Sequence, residues 1–386
     1  MNKTVINNSI SSNSVNESTN ETDSVVYKAN DEINDVRTKK DFRGKTFSGY
    51  KLSDVKNIIN KELLANNVND TYYWIVELLC AGHLEVIWEI FNIYLAQNIG
   101  SANPKLAVYL NIKHQEFVKV YRAGYVNHEL LLRNNTLCRN ILCEIVNVLC
   151  YSPKQPTMQK FIVMSTNDFS LDNLTSKLAA PNDKFITDIF KEDDPIELFI
   201  PLNELSYSLS IFDKNNNCKE NLWNSLYWFE WILQYEKYSK ERGNVLKSTY
   251  RNIKVDSSYR KDIIWIIWDV IFFYTNKTQL QKKIMQSLFE LFCSNFKPGS
   301  KQKHKHLIYN AIDLIINSNN ISFNTPIIID KDLIDCGNIG NITNKIFIEI
   351  KKNEHSSNTE YLFNNINERS HAEKTAEKIN KLQNIM

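Results

Sequence analysis

Glycine and proline are scarce, 9 and 8 among 386 residues. β-Sandwiches and nucleotide-binding α/β folds need turn glycines at many fixed places, so the shortage argues against both. Long uninterrupted apolar runs are also missing. The longest, Ile263 to Tyr274, is broken by Asp269 and falls far short of the ~20 residues that span a bilayer. The opening MNKTVINNSISSNS has no apolar core of the kind a signal peptide carries. The protein is therefore expected to be intracellular and not secreted, with its Asn-x-Ser/Thr sequons free of glycans. The seven cysteines, an odd number, lie mostly in apolar stretches and read as reduced thiols, not as a disulfide framework. A net charge of +2 is too small for the whole chain to act as a polycation, so any anionic partner must meet a local patch.

What is abundant is apolar and aromatic: 43% hydrophobic residues, with 18 Tyr, 19 Phe and 7 Trp. Such side chains can fill one large or two moderate cores. Apolar residues recur at helical spacing, which predicts an all-α multi-helix bundle or helical-hairpin array. Helices are expected at 54–65, from 70 to Gly82, and at 84–97, 104–121, 138–150 and 196–208. Further ones are expected at 220–238, 262–274, 279–292, 305–316 and 344–352. In the 220–238 helix Leu222, Leu226, Phe229 and Leu233 share one face and Trp228, Trp231, Tyr235 and Tyr238 another, so it should pack on two sides. Thr325 to Ile329 reads as a short strand. Five segments follow: a tail at 1–46 with a basic end, helical domains at 47–152 and 196–352, a loop-rich linker at 153–195, and a polar charged tail at 353–386. Fourteen of the first 34 residues are Asn or Ser, a composition that cannot offset its own ordering entropy.

Two stretches echo each other in the same order. Tyr73-Trp74-Ile75 matches Tyr227-Trp228-Phe229, and Ile87-Trp88-Glu89-Ile90-Phe91 matches Ile267-Trp268-Asp269-Val270-Ile271. Either a helical hairpin was duplicated, or Trp-rich helices resemble one another by chance.

Catalytic signatures are missing. There is no GxxxxGK, GxGxxG, GxSxG or HExxH. Cys80 with His83 lacks a second ligand pair, and Cys138, Cys143 and Cys150 do not share one helix face, so buried thiols are favoured over zinc and no metal or cofactor is expected. His83 near Glu85, and His114 near Glu116, are the acid/base candidates, yet nothing links either to a nucleophile. Asp262 and Asp269 stand about 10.5 Å apart along a helix, beyond the ~5–9.5 Å of paired catalytic carboxylates. A solvated stripe, or Asp269 against a Lys or Arg, fits better.

Three basic segments are the main functional lead. The first is Arg37, Lys39, Lys40, Arg43 and Lys45. The second, between Lys237 and Lys261, contains Lys240, Arg242, Lys247, Arg251, Lys254 and Arg260, interleaved with Tyr238, Tyr250 and Tyr259. The third runs from Lys297 through Lys301, Lys303 and Lys305. Lys240, Arg242, Lys247, Arg251, Lys254, Arg260, Lys301, Lys303 and Lys305 are the candidate contacts for nucleic acid or an acidic protein surface. Solvated loops are the plain alternative.

The stretches Phe47–Val55, Glu77–Ile90, Asn103–Lys105, Tyr227–Trp231 and Tyr259–Asp269 resemble an uncharacterised protein family of nucleocytoplasmic large DNA viruses, mimivirus-like. The resemblance covers about residues 46–320 and suits the abundance of Asn, Ile and Lys. It implies a viral factory in the host cytoplasm as the setting and no catalytic residues. Three functions remain open on sequence. The first is a non-catalytic helical adaptor or scaffold whose basic loops touch an anionic partner. The second is a nucleic-acid-binding accessory factor of viral replication or transcription, and the third an enzyme with an unrecognised site.

Overall fold

A computed structural model describes residues 32–155, 164–211, 218–275, 278–294, 296–321, 323, 327 and 338–355. Most of the N-terminal tail, the expected strand at 325–329 apart from Ile327, and residues 356–386 lie outside them. The fold is all-α. Its helices are α1 (Leu52–Leu64), α2 (Val68–Cys80), α3 (Leu84–Tyr94), α4 (Leu106–Arg122), α5 (Thr136–Tyr151), the short α6 (Leu171–Thr175) and α7 (Phe199–Ser210). They continue as α8 (Cys218–Glu241), α9 (Ile264–Tyr274), α10 (Gln279–Cys293), α11 (Lys301–Ile316) and α12 (Ile339–Lys351). No helix among the described residues is long and apolar enough to cross a membrane.

Local chemistry sets several boundaries. Asn135 caps α5 by accepting from the Cys138 N–H at 3.0 Å, and Thr278 with Gln281 forms a reciprocal capping box on α10. Gly82 sits at φ +75° between α2 and α3, where a Cβ would meet Leu130 at 2.8 Å. Only glycine suits that left-handed, crowded turn. α1 starts two residues before the expected 54, so Ser53 lies inside its first turn.

Packing follows the apolar faces. α9 is apolar nearly all round, with Trp265 and Trp268 fully buried among Phe289, Phe292 and Phe296, as expected of a central helix. In α8 both predicted faces are engaged: Phe229 and Leu233 are buried on one, Trp228 and Trp231 on the other, against α7 and α11. α11 is the hub, packing on α3, α8 and α10.

The boundary expected at 153–195 does not divide this body. α10 packs on α4, α11 on α3, and α12 on both α2 and α5, so the described residues from Ile33 onward form one compact unit. The tail expected through residue 46 ends earlier. Ile33, Phe42 and Thr46 are each 1% exposed, and Asn134 both donates to and accepts from the Ile33 backbone. Arg37 lies over the rings of Phe42 and Phe47, binds Asp35, and donates to the carbonyl of Asn353 at 3.0 Å. Apolar residues within a polar stretch closed that gap. The two echoed stretches are packed differently. α2 packs directly on α3, while α8 and α9 each pack on α7 and α11.

Replacing Ile33 by Ala should lower stability by about 2–5 kcal/mol, and Trp231 by Ala about 3–5 kcal/mol, since both empty a buried site. Urea titration of each variant measures this; a loss below about 1 kcal/mol at Ile33 would leave it part of a dispensable tail.

Candidate binding groove

The structure divides the expected basic contacts into internal and external groups. Arg251 is internal. Its side chain is 4% exposed and its guanidinium clamps the fully buried carboxylate of Asp194 at 2.6 and 2.8 Å, with Asp269 at 2.9 Å. The same Asp194 accepts the backbone N–H groups of Lys191 and Thr249. Burial raises the Asp194 carboxyl, but these donors outweigh it and hold the group below its ordinary value. Lys301 and Lys305 are internal too. Lys301 reaches Glu236 at 2.5 Å and Asp262 at 3.0 Å, and Lys305 reaches Glu230 at 2.6 Å, where Tyr309 also donates. These three cations are corrections to the predicted contact set: their charges are matched inside the protein by buried or half-buried carboxylates. Lys303 pairs with Glu89 at 3.2 Å on the surface. Arg260 is spent locally on the Val255 carbonyl and the Tyr250 hydroxyl. Lys240, Arg242, Lys247 and Lys254 are exposed, Arg242 lying over the Tyr238 ring at 3.6 Å.

All three basic segments nevertheless reach one place. A groove of about 1000 Å³ runs along α4, between the start of α3, the end of α10 and the 252–254 loop. Lys39 of the first segment and Lys254 of the second line it, and Lys297 of the third pairs with Glu85 on its edge at 3.6 Å. Lys119 and Arg122 of α4 complete a cationic rim. Residues 111, 115, 119 and 122 fall on one helical face, which is why α4 presents them together. Lys39 is matched by Glu129 at 3.0 Å. Lys119, Arg122 and Lys254 make no ion pair among the described residues.

The floor is apolar, with Trp88 and Phe117 each 3% exposed and Phe289 beside them. Trp88 meets Phe117 and His114 edge-on. At 3% exposure Trp88 offers no open face of its own on which a nucleobase could stack. His114 is half-buried, and burial pulls it down to about 4, so it is neutral at pH 7. His83 binds the Lys45 carbonyl at 2.7 Å. The two histidine candidates thus line the same groove, but Glu116 is paired with Lys113 at 3.2 Å.

Sequence reading missed Glu290. Its carboxylate takes Asn111 at 2.6 Å and Gln115 at 3.0 Å on one oxygen and Gln286 at 3.0 Å on the other. The Gln286/Glu290 spacing on a helix was the available signal. The nearby Cys293 thiol is pushed up to about 12 by burial and then by the Glu290 charge, and the Ser294 hydroxyl donates to the Leu291 carbonyl at 2.6 Å. Elsewhere, Cys138, Cys143 and Cys150 are buried. Among the described residues no group of three or more His, Cys, Asp or Glu stands close enough to hold a metal ion.

Two measurements check these assignments. Arg251→Ala should destabilise the protein by about 3–5 kcal/mol, because Asp194 is left charged and buried, whereas Lys254→Ser should change stability by about 0.5 kcal/mol or less. Acidification should also weaken the fold. His114 and His306 both stand near 4 when folded, pulled down mainly by burial, against about 6.5 unfolded. Between pH 6.5 and 4 the unfolded chain therefore binds more protons, and their contribution, fully present above pH 6.5, is lost as pH falls. The double variant His114→Gln, His306→Gln should show a flatter fall of Tm across that window; an unchanged slope contradicts the assignment.

No protein family, curated protein or solved structure matches this chain, so the groove's role is read from its own residues.

Proposed function

We propose that the protein is a non-catalytic helical adaptor whose groove along α4 seats an acidic segment of a partner protein. The observation that carries this reading is one groove with an apolar floor, lined by Lys39 and Lys254 of two basic segments and edged by Lys297 of the third, whose rim cations Lys119, Arg122 and Lys254 make no ion pair among the described residues. Cations around a concave apolar patch steer and hold an acidic chain. A non-catalytic role is supported by the groove's own polar groups. Its thiol is raised, its serine hydroxyl is spent on a backbone carbonyl, and the depressed His114 is a weak base. In the setting that the viral resemblance implies, the partner would belong to a cytoplasmic replication factory.

A specific surface favours a second reading, a nucleic-acid-binding accessory factor. Tyr235 stacks on the buried Trp231 at 4.8 Å and 12°, and the half-buried Tyr238, with Phe169 against it, carries Arg242 over its ring just past the end of α8. Lys240 and Lys247 are exposed near that end. This surface lies at a helix C-terminus, where cations are already favourable to the helix dipole, so it is the weaker lead.

Fluorescence anisotropy with a labelled Asp/Glu-rich peptide and with single-stranded DNA and RNA, near physiological ionic strength, separates the two. The adaptor reading expects the peptide to bind and the triple variant Lys119→Glu, Arg122→Glu, Lys254→Glu to weaken it about ten- to hundredfold. Nucleic-acid binding that this triple variant leaves unchanged, together with no peptide binding, would favour the α8 surface instead.

A further inference from the structure

We infer that the groove's occupant is bipolar: an extended acidic segment carrying one Lys or Arg about three to four residues from an Asp or Glu. This rests on the adaptor reading and adds a specificity determinant, Glu290.

Glu290 is the groove's one acidic lining residue, among Glu85, Glu129 and itself, that pairs with no cation among the described residues. Its three donors are the neutral side-chain amides of Asn111, Gln115 and Gln286. Neutral donors satisfy hydrogen bonds and fix the carboxylate in direction, but they leave its full negative charge in place. One acceptor position on the oxygen bound by Gln286 remains unused, since a carboxylate offers about four. Asn111 is itself only 6% exposed, so the holder of this carboxylate is rigidly packed. An anion so oriented, partly desolvated and unneutralised, is a receptor for a guanidinium or ammonium group.

The distances along α4 set the spacing. Glu290 is held at the Asn111–Gln115 turn. From the middle of that turn, residue 113, Lys119 lies about 9 Å along the axis and Arg122 about 13.5 Å. An extended chain rises about 3.3 Å per residue. A cation on Glu290 and an acid on Lys119 or Arg122 are therefore about three to four residues apart.

The test uses the full chain and three labelled peptides of otherwise identical acidic sequence. One carries Arg about four residues from an Asp, one carries Ala there, and one carries the Arg about eight residues from the nearest acid. The bipolar peptide should bind the unaltered protein about tenfold more tightly than the other two. The preference should vanish on Glu290→Gln, which removes the charge at nearly the same shape, while the Ala peptide binds no more weakly than before. Equal binding of all three to the unaltered protein overturns the inference and leaves the groove reading standing. Absence of binding by any of them overturns both. Because the peptide comparison is made on the unaltered chain, the result holds even where Glu290→Gln does not fold.

Discussion

Two lysine ammonium groups point into the packing face of α11, and much of the fold depends on their being matched there. Lys301 and Lys305 lie one turn apart, with Tyr309 one turn further, and all three meet carboxylates supplied by α8 and by Asp262 just before α9. Taking a charge out of water costs several kcal/mol, repaid only when partners stand close and remaining hydrogen bonds are made. The arrangement is accordingly exacting. Burial raises the Glu236 carboxyl even with Lys301 against it. With α11 fixed against α8, its other sides meet α3 and α10, and those two helices form walls of the groove. Lys303, on the outward face of the same turn, binds Glu89 of α3. One short basic run thus serves the interior and the surface together.

The helices were legible because their apolar residues recur at helical spacing, and α9 and α8 were recognisable as central by the breadth of their apolar faces. The direction in which a charge points was harder to read. Had α11 been started at Lys301 instead of Lys305, residues 301, 305 and 309 would have aligned on one face with its apolar residues, marking them as internal. Arg251 offered no such signal. It sits in an irregular loop, and its main partner Asp194 is 57 residues away. Asp269 was more readable: an acid on an apolar helix needed a cation, and Arg251 supplies it at 2.9 Å.

The division of the chain was misread for a related reason. Polar, Pro-containing sequence between 153 and 195 suggested a linker, yet Glu204 of α7 accepts the backbone N–H groups of Ala179 and Ala180, and Asp194 anchors Arg251. Polar residues there bind the interior instead of separating two bodies. At the other end, Asn353 and His355 bond to Ser48, Val36 and Asp35, which ties residues near both ends of the described chain together. The groove emerges only when these long-range contacts are made. Lys39, Lys119, Lys254 and Glu290 share no sequence neighbourhood, and only the helix packing brings them to one surface.

The central claim is that the cationic groove along α4, and not the exposed cations after α8, is the interaction surface. Hydrogen-exchange mass spectrometry of the full chain, with and without an acidic peptide in excess, tests it most directly. Slowed exchange confined to α4, the start of α3, the 252–254 loop and the end of α10 is the result expected. Protection centred on Lys240 to Lys247, with α4 unchanged, would contradict it.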